Sequence, residues 1–229
     1  MAKTDSGEDH WVIGGSAYLW AAGVDGTSAE GDDLDISFTD IAKDLDGGVM
    51  GVVAAQHGKW TLIADIIYLT IQQDTNTTAN LIGLPQKIDT NVKLKGFIST
   101  FGAAYRVVEG EKSQLDLLAG ARYGYMDVDF DAVIDSEKTT YADSDYSLDG
   151  ILGFQALINL NHSWYLSFYA DIGAGDSELT WQVWPGVGYR VGDLDAVAGY
   201  RRLEWETDNG DTFEDLGFSG PMLGVKFRF

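Results

Sequence analysis

The sequence contains no cysteine and only three histidines and three prolines among its 229 residues. It also lacks an apolar run of the roughly 20 residues that a membrane-spanning helix needs, which excludes a helical membrane protein. Basic residues are few: 15 Lys and Arg stand against 36 Asp and Glu, giving a formal net charge of −21. Nucleic-acid binding is therefore not expected, because phosphate contacts need cationic side chains. The lack of cysteine suits a protein that passes through an oxidising compartment.

Glycine and aromatic residues are abundant instead, with 28 Gly, 11 Tyr, 10 Phe and 7 Trp. The last ten residues alternate between apolar and small, flexible or cationic side chains. The apolar positions are Pro221, Leu223, Val225, Phe227 and Phe229. A strand places alternate side chains on opposite faces, so one face could contact hydrocarbon and the other a polar interior. An amphipathic edge strand of a soluble sandwich is the alternative.

The same alternation recurs along the chain and predicts ten long strands. They cover about residues 11–22, 47–57, 60–72, 91–107, 113–128, 146–160, 163–173, 179–191, 194–206 and 218–229. Most exceed the usual soluble strand of about 5–6 residues. They reach the roughly 9–11 residues with which a tilted strand crosses a membrane.

The connections between these strands alternate between short and long. The short ones are 57–59, 109–112, 161–162 and 192–193, and the longer ones are 73–90, 129–145, 174–178 and 207–217. Transmembrane barrels have short periplasmic turns and longer outer loops. The sequence therefore predicts an all-β fold, an antiparallel transmembrane β-barrel of the bacterial outer membrane with long acidic outer loops.

The strand number depends on the segment 23–46, which holds a weaker strand candidate at about 33–39. Residues 38–45 have the pattern of a helical turn with Thr39 or Asp40 as N-cap. We interpret 23–46 as an outer excursion, which leaves ten spanning strands; twelve is the alternative. We expect residues 1–10 to be a flexible N-terminal segment from which an export signal has been removed, and residues 11–229 to form a single barrel domain.

Aromatic residues collect near the two ends of the predicted strands, where an outward face would meet lipid headgroups. The periplasmic set is Trp11, Trp60, Tyr105, Trp164, Tyr189, Phe227 and Phe229. The outer set is Trp20, Tyr68, Tyr125, Tyr146, Trp181 and Trp205. A soluble core would instead concentrate aromatic residues at mid-strand, so this clustering favours a membrane barrel.

The closing strand with its terminal Phe229 resembles the last strand of bacterial outer-membrane β-barrels. In that family the terminal aromatic is recognised by the barrel assembly machinery, which implies an assembly signal at Phe227 and Phe229. A longer resemblance, to a group of proteobacterial outer-membrane barrel proteins of unassigned function, is carried by residues 17–20, 38–41, 171–182, 186–189, 199–203 and 218–224. It implies location and fold and brings no catalytic residue. One departure is Ala17, where the group often has Pro.

Charged residues are predicted by alternation to face the barrel interior. They are Asp65, Lys93, Lys95, Asp116, Arg122, Asp149, Asp171, Arg190, Asp195, Arg201, Lys226 and Arg228. Buried charges must pair or be hydrated. We expect the three arginines Arg122, Arg190 and Arg201 to pair with carboxylates, chiefly those of Asp116, Asp149, Asp171 and Asp195. Such a network predicts a largely filled lumen in a barrel with a structural or surface-interaction role; a narrow porin-like channel for small solutes is the alternative.

Catalysis is not expected, and neither a cofactor nor a specific metal site is predicted. His10 lies in the N-terminal segment, and His57 and His162 lie in turns assigned to the periplasm, whereas barrel proteases and lipid-modifying barrels work near the outer side. An outer-membrane enzyme acting on lipid or peptide is the less favoured alternative. Expected partners are outer-membrane lipid and lipopolysaccharide, with weak divalent-cation binding at acidic outer segments such as 127–145 and 204–215.

A membrane barrel should remain folded in detergent until it is heated. We expect the unheated protein to run on a gel as a compact, fast-migrating band that shifts on boiling, with β-rich circular dichroism in detergent. A monomeric fold that is equally stable without detergent would contradict this class.

Overall fold

A computed structural model of the chain describes residues 10–28, 33–81, 84–134, 137–207 and 213–228. These residues form twelve β-strands and one short helix, α1 (Phe38–Lys43). The strands are β1 (Val12–Trp20), β2 (Gly23–Ser28), β3 (Asp33–Ile36), β4 (Leu45–His57), β5 (Trp60–Leu81), β6 (Leu84–Glu109), β7 (Ser113–Ile134), β8 (Glu137–Asn159), β9 (Trp164–Gly175), β10 (Leu179–Val191), β11 (Leu194–Glu206) and β12 (Phe213–Arg228). Within this described part, no helix is both long and apolar enough to cross a membrane.

Ten strands, β1 and β4 to β12, form a closed antiparallel barrel. Strand β1 pairs with β4, and from β4 to β12 each strand pairs with the next one in sequence. Closure is made by β1 and β12, whose pairing runs from Gly14 opposite Arg228 to Trp20 opposite Met222. The predicted fold class and the count of ten spanning strands are confirmed. The alternative of twelve is wrong, because β2 and β3 are short strands outside the closed wall.

The segment after β1 forms an outer excursion, as predicted. The outer half of β12 leaves β1 and pairs with β2, from Ser219 opposite Gly23 to Phe213 opposite Ser28. The N-cap of α1 is Ser37, whose hydroxyl oxygen accepts from the backbone N–H of Asp40 at 3.3 Å. The assignment of the cap to Thr39 or Asp40 is corrected: Ser37 has the extended backbone of a capping residue, and the helix has already begun at Phe38.

The described residues of the two longest predicted loops, 73–90 and 129–145, belong to strands. The β5–β6 ladder continues outward to the pair Leu81 and Leu84, and the β7–β8 ladder continues to the pair Ile134 and Glu137. These four strands are 22 to 26 residues long, about twice the length needed to cross the membrane. The segments were read as loops because they are polar, but outside the bilayer a Thr-rich polar ribbon can still form a full backbone ladder.

The outward face is apolar along the strand middles. Leu117, Phe154 and Phe168 are 53%, 36% and 38% exposed, whereas Asp116 beside Leu117 is only 4% exposed. At the end with the tight turns, Trp60 packs against Tyr105 and Trp164 against Tyr189, with ring centroids 4.9 and 4.7 Å apart. Four members of the predicted periplasmic aromatic set therefore form two pairs on the lipid-facing wall.

The predicted face of the barrel wall is wrong for four residues. Trp20 and Trp205, assigned to the outer aromatic set, are 4% and 7% exposed and point into the lumen. Lys93 and Lys95 are predicted to face the lumen, but the odd-numbered positions of β6 face outward, as the exposed side chains of Phe101 and Tyr105 show. The two lysines therefore share the outward face, where Lys95 Nζ lies 3.1 Å from a carboxylate oxygen of Asp127.

A cation on the apolar wall should destabilise the protein in bilayers. We expect Phe154→Arg to reduce the free energy of unfolding by about 2–4 kcal/mol, because its guanidinium would face hydrocarbon. The measurement is denaturant unfolding of protein refolded into lipid vesicles. Phe154→Leu is the matched control and should insert normally; equal stability of Phe154→Arg and wild type would show that this face does not contact lipid.

Candidate functional site

A set of polar side chains inside the barrel, at mid-height, surrounds Arg201 and forms the Arg201 site. Its Nη1 lies 3.0 Å from Oδ2 of Asp65 and donates to the Tyr18 hydroxyl oxygen at 2.9 Å. Tyr18 in turn donates to Asp65 Oδ1 at 2.6 Å. Nε and Nη2 donate to the amide oxygen of Gln182 at 3.1 and 2.7 Å, and the guanidinium lies 4.8 Å from the Trp20 ring centre. Strands β1, β5, β10 and β11 therefore meet across the lumen.

A second buried pair joins β7 and β9. Arg122 Nη2 donates to both carboxylate oxygens of Asp171, at 2.6 and 2.8 Å, and both side chains are fully buried. Arg122 Nη1 donates to the Thr180 hydroxyl at 2.8 Å, and that hydroxyl donates to the carbonyl of Glu204. Because a buried charge needs both a counter-ion and hydrogen bonds, this geometry fixes the spacing of strands β7, β9, β10 and β11.

Asp149 is completely buried, yet its described contacts are with neutral donors. It accepts from the Ser147 hydroxyl, from the backbone and hydroxyl of Ser177, and from Trp205 Nε1, at 2.8 to 3.2 Å. Arg122 pairs with Asp171 and not with this carboxylate. Several hydrogen bonds replace the arginine that the sequence led us to expect beside Asp149.

The remaining predicted lumen charges lie nearer the tight turns. Asp116 forms an ion pair with Arg106, with Nε to Oδ1 at 2.8 Å, and accepts from Gln155. Arg190 donates to the Asn159 amide oxygen at 2.6 Å and lies over the Tyr165 ring, so an amide takes the place of the expected carboxylate.

Tyr165 also links this end of the lumen to Asp195, to which its hydroxyl donates at 3.1 Å. Lys226 lines the lumen near the same end. The side chain of Arg228 and all of Phe229 lie outside the described part of the chain, so the assembly signal at Phe227 and Phe229 stays a prediction.

An apolar layer covers the Arg201 site on its outer side. Its buried members are Trp20, Ile67, Leu203, Trp205 and Met222, and the ring of Tyr18, whose hydroxyl belongs to the Arg201 site, packs against them. Strands β1, β5 and β11 all run outward, and Trp20, Ile67 and Leu203 each follow a member of the Arg201 site by two residues. The inward side chains of these strands therefore form a polar layer and, on its outer side, an apolar layer.

Sequence reasoning missed much of this site. Arg106 was not assigned to the lumen although it alternates in step with Thr100 and Ala104, which a consistent choice of face on β6 would have revealed. Leu203 follows the alternation of β11 into the lumen and is fully buried there, because the lumen has an apolar layer. No pattern in the sequence distinguishes a lipid-facing tryptophan from a lumenal one at a strand end.

The histidines stand apart from these layers. The ring of His57, at the end of β4, packs 5.1 Å from that of Trp11, and His162 lies in the turn between β8 and β9. Among the residues that the structure describes, no group of three His, Asp or Glu side chains is placed to hold a metal ion. Weak divalent-cation binding by the acidic outer segments stays a prediction.

Comparison with solved structures identifies the class as an outer-membrane β-barrel, and the chain is located in the bacterial outer membrane. The chain is similar to the outer membrane protease OmpT from Escherichia coli, with a TM-score of 0.56, 8% identity, and coverage of 95% of this chain and 97% of that one. It is also similar to the translocator domain of the autotransporter NalP from Neisseria meningitidis (TM-score 0.44, 12% identity, 97% and 91% covered). For the attachment invasion locus protein Ail of Yersinia pestis the values are 0.40, 15%, 96% and 99%. No family model and no curated protein sequence matches.

The prediction that the chain has no enzymatic activity is wrong. A protease, OmpT, shares this overall fold along nearly the whole chain, so the fold and its topology do not exclude an enzyme. The argument from the three histidines relied on where other barrel enzymes work, which is not a physical constraint. At 8% identity the likeness shows the fold alone, so it does not establish an enzyme either.

The buried Arg122–Asp171 pair should matter far more to stability than an exposed pair. Arg122→Ala leaves Asp171 buried without its counter-ion, and we expect a loss of about 3–5 kcal/mol in the free energy of unfolding. Arg202 pairs with Asp25 on the outer surface, where both side chains are partly exposed. We expect Arg202→Ala to cost about 0–1 kcal/mol. Both are measured by urea unfolding in vesicles, and similar losses would contradict the importance assigned to the lumenal pair.

Proposed function

We propose that the protein is a sealed barrel that acts at the cell surface, in a structural or surface-interaction role, through the outer sheet that strands β5 to β8 form above the membrane. The observation that carries this proposal is the double layer inside the lumen. An ion-pair layer around Arg201 lies under an apolar layer around Leu203, which is 0% exposed. A path for ions through both layers would require buried charges to separate and aromatic side chains to move.

The outer half of the molecule supports a surface role. Strands β5 to β8 are about twice as long as a crossing needs, and β6 and β7 stay paired as far as Ile88 and Ile134, so the four strands stand out from the membrane as one outer sheet. The described part of the β7–β8 hairpin in this outer sheet carries exposed Asp129, Asp143 and Asp145. A rigid backbone ladder with anionic side chains is a suitable contact surface for a cationic partner or for cation-bridged lipopolysaccharide.

The partners expected from the sequence support this role as proposals. They are outer-membrane lipid along the apolar wall, lipopolysaccharide and weakly bound divalent cations at the acidic outer segments, and the barrel assembly machinery at the C-terminus. Membership of the proteobacterial group that the sequence resembles is likewise a proposal. The alternative role, a narrow porin-like channel, predicts that ions flow through the wild-type protein.

Ion conductance separates the sealed barrel from the channel. We expect wild-type protein in a planar bilayer to be nearly silent, because the Arg201 site and the apolar layer both block the lumen. Arg201→Ala removes the group that holds Asp65, Tyr18 and Gln182 together, so brief openings should become more frequent. Large, stable conductance from wild type would support the channel and remove the sealed-barrel proposal.

The neighbouring residue provides the matched control. Arg202 has the same side chain one position along β11 but points to the outer surface, toward Asp25 and Glu204. We expect Arg202→Ala to be as silent as wild type. If both variants conduct equally, the openings arise from general loosening of β11 and not from loss of the lumenal site.

A further inference from the structure

Strand β8 is an edge of the outer sheet beyond the point where β9 ends. The β8–β9 ladder stops at the pair Asp149 and Gly175, whereas β8 continues outward to Glu137 and stays paired with β7 over that length. Among the strands that the structure describes, none pairs with the other side of β8 beyond this point. Residues 137–147 therefore form an exposed strand edge above the membrane, and such an edge can pair with another chain.

The direction of the backbone groups shows which residues form this edge. The carbonyl of Leu148 accepts from the backbone N–H of Asp176 at 3.2 Å, on the side away from β7. Backbone groups of successive residues point to opposite sides of a strand, and the β7–β8 register has no shift along this length. The backbone N–H groups of Ala142, Ser144 and Tyr146 therefore also point to the exposed edge.

Aspartate side chains occupy the N–H groups of this edge. The N–H of Tyr146 donates to Oδ1 of Asp145 at 2.7 Å, and that of Ser144 donates to Oδ1 of Asp143 at 2.9 Å. The next edge N–H toward the membrane, that of Leu148, also donates to a carboxylate, at 2.9 Å. These carboxylates supply the acceptors that a neighbouring strand would otherwise supply, and their charge opposes pairing of this edge with a second copy of itself.

The two aspartates also define the charge of a suitable partner strand. Asp143 and Asp145 lie on one face of β8, directly opposite Val128 and Met126 of β7, and both are exposed. A strand added at the edge would place alternate side chains opposite these carboxylates, where cations are favourable and anions are not. A cation there would attract each carboxylate away from the edge N–H, which could then donate to the partner's carbonyl. On the other face, Tyr146 is 65% exposed and offers apolar surface.

We propose that residues 137–147 of β8 bind an extended segment of another protein in which basic and apolar residues alternate, so that it becomes a further strand of the outer sheet. The inference rests on the proposed surface role and names the chemistry of its partner. Backbone hydrogen bonds supply the affinity, and Asp143 and Asp145 select a basic segment over an acidic one.

Three peptides of equal length test charge and strand pairing separately. The first alternates lysine and valine, and the second alternates glutamate and valine. The third is the lysine peptide with proline in place of some valines, which keeps the charge but cannot form a full ladder. Binding to the full chain in nanodiscs of zwitterionic lipid is measured by fluorescence anisotropy, with empty nanodiscs as the blank.

We expect the lysine peptide to bind saturably and at least about tenfold more tightly than either of the other two. Equal binding of the proline-containing peptide would show a purely electrostatic contact and overturn the strand pairing. Equal binding of the glutamate peptide would overturn the assigned charge.

Position 144 provides an edge-blocking variant and its control. The N–H of Ser144 points away from β7, so proline there removes an edge donor without removing a bond of the β7–β8 ladder. We expect Ser144→Pro to weaken binding of the lysine peptide at least about tenfold, and Ser144→Ala to bind as wild type does. The compact unheated gel band checks that both variants are folded. Unchanged affinity of a folded Ser144→Pro protein would overturn the assignment of the edge.

A milder variant tests the charge without touching the backbone. Asp145→Asn keeps an oxygen that can accept from the N–H of Tyr146 but removes the carboxylate charge. We expect it to weaken binding of the lysine peptide about two- to fivefold, whereas Asp129→Asn, on the opposite face of the sheet, should bind as wild type does. Equal losses in both variants would contradict the selective role of Asp145. Absence of saturable binding to wild type would remove this proposal, and the conductance of wild type tests the sealed barrel independently.

Discussion

The pairing of β1 with β12 is the interaction on which the rest of the structure depends. A sheet edge inside hydrocarbon would leave backbone N–H and C=O groups without partners, so a spanning sheet must close on itself. The seven paired positions from Gly14 to Trp20 achieve this closure. Beyond Trp20 the outer half of β12 pairs with β2 instead, so that strand stays hydrogen-bonded above the end of β1.

Closure creates an interior that ten strands leave wider than side chains of ordinary size fill easily. The chain fills its outer part with long side chains: arginines bound to carboxylates and amides, and then tryptophan, leucine and isoleucine. The periplasmic part stays open as a cavity. The side chains that cross the lumen therefore lie in its outer part, and the open space lies in its periplasmic part.

Alternation in the sequence predicted the wall because lipid imposes a strict rule on it. Leu117 and Phe154 had to be outside, and Asp116 and Asp171 inside, once a strand was recognised. Alternation failed as a guide outside the bilayer, where lipid imposes no such rule. The polar segments 73–90 and 129–145 extend the ladders outside the bilayer, where strand and loop have similar composition, and Lys93 and Lys95 lie near that boundary. A helical turn is predicted at 38–45 and the helix is found at Phe38–Lys43, but its cap at Ser37 depends on backbone angles.

The sequence by itself determined the closed ten-strand barrel, its orientation and the identity of most lipid-facing residues, because a period of two and the alternation of turn lengths are local properties of the chain. Only the tertiary structure decided the contacts across the lumen. Arg201 meets Asp65 and Tyr18, and Arg122 meets Asp171 and not Asp149, because tilt and stagger bring together strands that are far apart in sequence. The position of Trp20 and Trp205 inside the barrel and the cavity beneath Arg201 follow from the same three-dimensional packing.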